Sequence, residues 1–295
     1  MKRNAIALLI FCALGFPVAF GSDTGLKIIT VDTERYRVEL LDPAAPADKK
    51  LTGDRFLRGS WLRSLVRKDT NQEILRVRSL HPRLPLFGCP FEIYPGPLLK
   101  TGPRSGWDTR MQIGVGIVRE KGEGRYETIP VEWFTWQKTL RRNPQETILI
   151  ARQTPVEYAG YQYELTVTTI LKRNSDTIRI IFDFANTGRK KIETELYAHP
   201  FFDAPAGFGE GWYILQKQKI LLKAQTSQSQ AGAEKILIGG WPQSKHEAEL
   251  YGTPKPIRVD FWRNQNNCFS LEPFWHIAVG PGEQQRIDFR LTIHP

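Results

Sequence analysis

The 295-residue chain carries 41 Lys and Arg against 31 Asp and Glu, a formal charge of +10, with 20 prolines, 24 glycines and 3 cysteines. Its cations are spread along the chain (Arg35, Arg37, Lys49, Lys50, Arg55, Arg58, Arg63, Arg67) and form no basic helix or nucleic-acid motif. Nucleic acid is therefore not expected as a partner, whereas acidic glycans or anionic envelope surfaces suit the charge. No CxxC and no His/Cys cluster at ligand spacing is present, so no metal is expected.

Residues 1–21, MKRNAIALLIFCALGFPVAFG, read as an export signal. Lys2 and Arg3 supply the positive start, Ala5 to Leu14 the apolar core, and Ala19-Phe20-Gly21 the small residues before cleavage. The apolar part, at about 15 residues, falls short of the roughly 20 that span a bilayer. The alternatives are an uncleaved anchor and a lipid-modified Cys12, the latter opposed by bulky Phe11. Expected is an exported, periplasmic or extracellular protein without stable membrane insertion, with residues 22–295 as one domain. In an oxidising compartment Cys89 and Cys268 either pair or remain separate buried thiols.

Alternation, not helical period, dominates the rest of the chain. LKIITVDT (26–33), RYRVELLD (35–42) and SWLRSLVR (60–67) read as strands. Residues 81–109, HPRLPLFGCPFEIYPGPLLKTGPRSGWDT, are Pro/Gly-rich, and the spacing predicts one long irregular loop there, with aromatic residues that argue against disorder. RMQIGVGIVRE (110–120) and TILIARQT (147–154) read as further strands; the GVG at 114–116 is no dinucleotide fingerprint. YQYELTVTTIL and TIRIIFDFANTG form a predicted hairpin about the turn cluster KRNSD, and Asn186-Thr187-Gly188 ends it. WYILQKQKILLK (212–223) and QRIDFRLTI (285–293) complete the set. The fold class expected is all-β, a large antiparallel sandwich.

Two stretches carry chemistry. In KKIETELYAHP, period two places Glu193, Glu195, Tyr197 and His199 opposite the face of Ile192, Thr194 and Leu196. Pro200 then removes a ladder donor, and Phe201 and Phe202 offer apolar walls. A partly desolvated imidazole there either moves protons near neutral pH or only packs. In CFSLEPFWHIAV, Ser270 and Glu272 share a face opposite Phe269 and Leu271, with Pro273, Phe274 and Trp275 expected to close around the carboxylate. Glu272 is thus either a general base or a strand-end surface group. His276 lies on the same strand as a site neighbour or a packing residue. His81, His246 and His294 carry no such pattern.

Together, DFANTGRKKIETELYAHPFFDAP, SLEPFW and VGPGEQQRIDFRLTI resemble, in order and spacing, the galactose mutarotase (aldose 1-epimerase) superfamily, and are most similar to its bacterial epimerase-like branch. The resemblance covers roughly residues 110–293. It implies a supersandwich with a sugar on its concave face and no cofactor. It also implies His199 as the acid that protonates the ring oxygen and Glu272 as the base that takes the anomeric hydroxyl proton. The Asn-Arg and His-Gly-Gly segments that hold sugar hydroxyls in the galactose enzymes are absent. By position, Arg104, Trp107 and Arg110 stand in for them, with Asp203 and His276 as further pocket residues. The expected function is anomer exchange on a free sugar or glycan end. The alternatives are a non-catalytic carbohydrate-binding protein of the envelope, and a lyase or hydrolase of acidic polysaccharide. By analogy with paired groups that straddle a pyranose, His199 and Glu272 are expected about 5–8 Å apart.

Overall fold

A computed structural model of the chain describes residues 27–46, 55–75, 88–94, 100–104, 107–120, 128–155, 157–203, 209–224, 228–240, 247–263 and 268–294. The export-signal segment, His81 and His246 lie outside them. Among the described residues there is no α-helix, only two 3-10 turns at Arg58–Ser60 and Leu222–Ala224. Every strand pairing among the described residues is antiparallel, as the alternation implied.

Two large sheets make the sandwich. The nine-stranded sheet runs, edge to edge, Gln137–Arg142, Glu146–Gln153, Tyr163–Lys172, Thr177–Asn186, Gln284–His294, Glu247–Thr253, Lys235–Gly239, Trp212–Leu215 and Gln218–Leu221. The ten-stranded sheet begins with Ile28–Asp32, Tyr36–Leu41, Leu62–Arg67 and Gln72–Leu75. Its centre is the strand Cys268–Val279. Phe202–Asp203 and Ile192–Ala198 pair along one edge of that strand, with Phe91–Tyr94 beyond, and Arg258–Arg263 then Gln228–Ala231 lie on the other. A four-stranded sheet, Lys100–Arg104, Trp107–Gln112, Gly116–Glu120 and Thr128–Trp133, stands apart from both hydrogen-bonded ladders.

Inward-facing apolar residues of the two large sheets interdigitate, as alternation on half-buried strands requires. Phe289 of the nine-stranded sheet packs edge-on to Phe91, 5.2 Å between centroids, and to Trp275, 6.1 Å, both from the ten-stranded sheet. Phe182 reaches Phe91 at 4.9 Å. All four rings are buried, each side chain contributing roughly 1.5–3 kcal/mol. The predicted hairpin forms in the expected register, Tyr163 opposite Asn186, with Tyr163, Leu165, Val167, Ile178, Ile180, Phe182 and Phe184 all buried.

Three sequence expectations need correction. The stretch 110–120 is two strands about a turn at Ile113–Val115, where Gly114 has φ +80° and a side chain would strike Leu57. Residues 212–223 form a tight hairpin whose turn, Gln216-Lys217, takes positive φ at both positions without the usual Asn or Gly signal. Residues 81–109 are not one irregular loop: they contain Phe91–Tyr94, Lys100–Arg104 and the start of Trp107–Gln112. Pro103 is tolerated because its strand is the edge of its sheet. Cys89 and Cys268 are buried and unbridged, and burial pushes the Cys89 thiol up.

Candidate active site

The register around Pro200 fixes the site. Tyr197 pairs with Phe274 and Phe202 with Phe269 in one continuous antiparallel register, so His199 stands opposite Glu272 and Phe201 opposite Ser270. The N–H groups of His199 and Phe201 turn the other way, to Pro90 O at 2.9 Å and Gly88 O at 2.8 Å. The position between them faces the Cys268–Val279 strand, and proline has no N–H to give it, so the ladder breaks there. His199 and Glu272 therefore form a non-hydrogen-bonded cross-strand pair, the kind whose side chains approach most closely.

They touch. His199 Nε2 lies 3.0 Å from Glu272 Oε1, and Nδ1 lies 3.0 Å from Ser270 Oγ. The separation of 5–8 Å expected from the sequence is overturned, because cross-strand neighbours hold their Cβ atoms only about 4.5–5.5 Å apart. The imidazole stacks on Phe201 at 3.9 Å, with Trp262 and Phe56 edge-on at 5.5 and 6.1 Å, and is 4% exposed. Glu272 is 8% exposed. Its Oε1, though close to the imidazole, receives no aligned hydrogen bond, a costly state for a buried carboxylate oxygen.

Only half of the expected aromatic enclosure holds. Phe274 shares the face of Glu272 and stacks on Tyr197 at 4.5 Å, whereas Trp275 points into the core and donates to Pro254 O. Phe202 likewise faces away and stacks on Phe269, leaving Phe201 as the wall beside the imidazole. Ser270, fully buried, orients the ring and is in no position to act as an exposed nucleophile.

Five residues that the sequence left unmarked as site residues complete this face. Arg55 Nε donates to Glu92 Oε2 at 2.5 Å, and its Nη2 donates to Tyr197 Oη, which in turn donates to Glu92. Burial pushes the Tyr197 phenol up, and Glu92 reinforces it. Burial works against the Arg55 charge, but Glu92 and Tyr197 outweigh it and hold the guanidinium protonated. On the far edge of the Glu272 strand, register places Asp260 opposite Glu272 and Trp262 opposite Ser270. Arg258 lies 3.6 Å from the Phe274 ring centre and pairs with Glu195 at 2.6 Å.

Of the other expected site residues, three are placed by the backbone alone. Arg104 and Trp107 pair across a hairpin of the four-stranded sheet, and Asp203 pairs with Cys268; the side chains of all three lie outside the described residues. Arg110, half-buried, belongs to that same separate sheet. His276 is on the Glu272 face but exposed at the strand's far end, 3.7 Å from Glu193. Two surface clefts, of about 430 Å³ near Asp32, Lys68 and Asn143 and about 560 Å³ near Glu164, Asp183 and Arg286, lie away from the pair. Their walls hold no comparable acid–base arrangement. Among the described residues no cluster of three His, Cys, Asp or Glu is placed to hold a metal.

No family model matches this sequence, and no curated protein sequence matches it. Solved structures do. A candidate aldose 1-epimerase from Escherichia coli K12 superposes with a TM-score of 0.61 at 14% identity, over 92% of this chain and 99% of its own. A galactose mutarotase-like protein from Lactobacillus casei gives 0.59 at 13%, over 91% and 100%. A galactose mutarotase related enzyme from Lactobacillus acidophilus gives 0.58 at 11%, over 91% and 98%. The chain thus has the galactose mutarotase-like fold.

Proposed function

We propose that the protein is an aldose 1-epimerase-like isomerase that exchanges the anomers of a free sugar or of a sugar at a glycan end. One observation carries this reading: His199 and Glu272 are adjacent on the polar face of a mutarotase-like sandwich, the imidazole Nε2 3.0 Å from a carboxylate oxygen that receives no aligned hydrogen bond. Anomer exchange breaks and remakes the bond between C1 and the ring oxygen. The oxygen that accepts a proton and the hydroxyl that loses one are both bonded to C1, so an acid and a base that stand side by side can serve both.

In the forward step His199, as imidazolium, protonates the ring oxygen while Glu272 takes the anomeric O–H proton. The C1–O bond opens to an aldehyde and a free hydroxyl, leaving neutral imidazole and carboxylic acid. Rotation about C1–C2 presents the other carbonyl face. The two protons then return by the same routes, and closure yields the opposite anomer with both side chains restored. Phe201 and Trp262 exclude water from the imidazole, and Ser270 holds its other nitrogen. The chemistry supports no nucleophilic hydrolysis through Ser270, which is wholly enclosed.

A second reading, a non-catalytic carbohydrate-binding protein, is favoured by the prior engagement of both His199 nitrogens. Exchange NMR on purified protein across a panel of aldoses separates the two. Enhanced exchange that disappears in Glu272→Gln supports the isomerase; sugar binding with no exchange above buffer, unaffected by Glu272→Gln, supports the binder. Export by way of residues 1–21 belongs to the same proposal, and the N-terminal sequence of the mature protein recovered from its host tests it.

A further inference from the structure

We propose that the edge strand Gln137–Arg142 docks an extended acidic segment of another protein, which extends the nine-stranded sheet by one antiparallel strand. The inference is independent of the proposed sugar chemistry, because this strand belongs to the sheet that does not carry His199 and Glu272.

The edge is open. All six of its residues are exposed. Asn143 N donates to Glu146 O at 3.0 Å and closes the turn into the Glu146–Gln153 strand. From that closure, register makes Arg141/Ile148, Thr139/Ile150 and Gln137/Arg152 the hydrogen-bonded pairs. The backbone N–H and C=O groups of Lys138, Leu140 and Arg142 therefore point away from the sheet, with no partner among the described residues.

The other edges of the two large sheets are closed or short. On Ile28–Asp32, Thr30 O accepts Arg142 Nη2 at 3.2 Å. On Gln228–Ala231, Ala231 O accepts Gln216 Nε2 at 3.0 Å. On Phe91–Tyr94, Phe91 O accepts Leu57 N at 2.8 Å and Ile93 O accepts Gln112 Nε2 at 3.1 Å. Gln218–Leu221 has four residues, and its register turns only Lys219 and Leu221 outward.

Charge selects the occupant. Residues 137–153 carry Lys138, Arg141, Arg142 and Arg152 against one carboxylate, Glu146. Lys138 is tied to Asp42, whereas Arg141 and Arg152 are exposed and have no carboxylate partner among the described residues. Cations on an edge repel a second copy of the same strand and guard against neutral ones; an acidic strand is the class they attract. Leu140, 37% exposed, shares its face with Lys138 and Arg142. The pattern that fits is acid, any residue, apolar, any residue, acid. Backbone ladder bonds supply the affinity and the alternate side chains the selectivity.

The test uses the full chain and the labelled peptide Glu-Thr-Val-Thr-Glu-Thr-Val-Thr-Glu. Fluorescence anisotropy reads binding, and amide hydrogen exchange reads its place. The peptide should bind and should slow exchange at Lys138, Leu140 and Arg142. N-methylation at both valines, or Lys in place of every Glu, should weaken binding by about tenfold or more. Leu140→Pro removes one outward N–H and no ladder bond, and should have the same effect. Arg141→Glu should weaken binding by about fivefold; thermal unfolding checks both variants. Equal binding of the N-methylated peptide means ion attraction alone and overturns the inference. Absence of binding, protection elsewhere, self-association of the chain abolished by Leu140→Pro, or capture of phosphatidylglycerol vesicles in place of the peptide also overturns it.

Discussion

Two polar clusters share one face of the ten-stranded sheet, two residues apart along the chain, and they differ in one respect. Around Tyr197, the Glu92 carboxylate is satisfied by Arg55 and the phenol. Around His199, the Glu272 carboxylate keeps an oxygen with no aligned donor. A fully paired buried network rigidifies a fold, and a partly paired one costs stability unless something outside the chain completes it. The first cluster reads as scaffold and the second as a place for a ligand, although residue types and burial are similar.

The largest effect expected separates function from folding. His199→Ala and Glu272→Gln should each slow anomer exchange by about 10²–10⁴-fold, the usual worth of a general acid or base. Glu272→Gln should move the unfolding midpoint little, whereas His199→Ala, which empties a buried ring site, should also lower stability by about 2–4 kcal/mol. Exchange NMR with a thermal melt on each variant checks this. Next is the converse substitution. Glu92→Gln should leave Tyr197 and Arg55 poorly matched and lower stability by about 2–3 kcal/mol. Denaturant unfolding reads it, and exchange by the folded fraction should stay within a few-fold of wild type. If both substitutions act alike on stability and on rate, the distinction between the clusters is broken.

The smallest effect calibrates the comparison from the other sheet. Burial pulls the Asp288 carboxyl up, but hydrogen bonds from Arg179 and Arg290 outweigh it and hold it below the usual carboxylate range. With the folded pKa below the unfolded one, this stabilisation is complete above about pH 4 and is lost as pH falls through the folded value. Because both arginines are about two-fifths exposed, the contribution is under about 1 kcal/mol. Asp288→Asn should flatten that acid-side slope of stability against pH and leave neutral-pH exchange unchanged.

Much of this was legible in the chain because strand period is local. Alternation alone set Tyr197 with His199 and Ser270 with Glu272 on polar faces, and the sandwich follows from the same signal. Register was not legible, since it depends on which distant strands pair, and it is register that makes His199 and Glu272 neighbours. Arg258, Asp260 and Trp262 did leave a trace: RVDFWR alternates them with buried Val259 and Phe261. Nothing in the sequence said that this strand would lie beside Glu272. Glu92 was hidden in a Pro/Gly-rich stretch that reads as loop, and Arg55 serves the site from a non-regular segment. The separation first expected for the pair came from chemistry in which two carboxyl groups straddle a ring; here the reacting oxygens share one carbon.

The most direct test is a structure of the protein with a bound aldose. The anomeric hydroxyl should lie within hydrogen-bond distance of Glu272 Oε1, about 2.5–3.0 Å, with the ring oxygen beside His199 Nε2. A sugar seated elsewhere on the sandwich, with the His199–Glu272 contact closed and untouched, would contradict it.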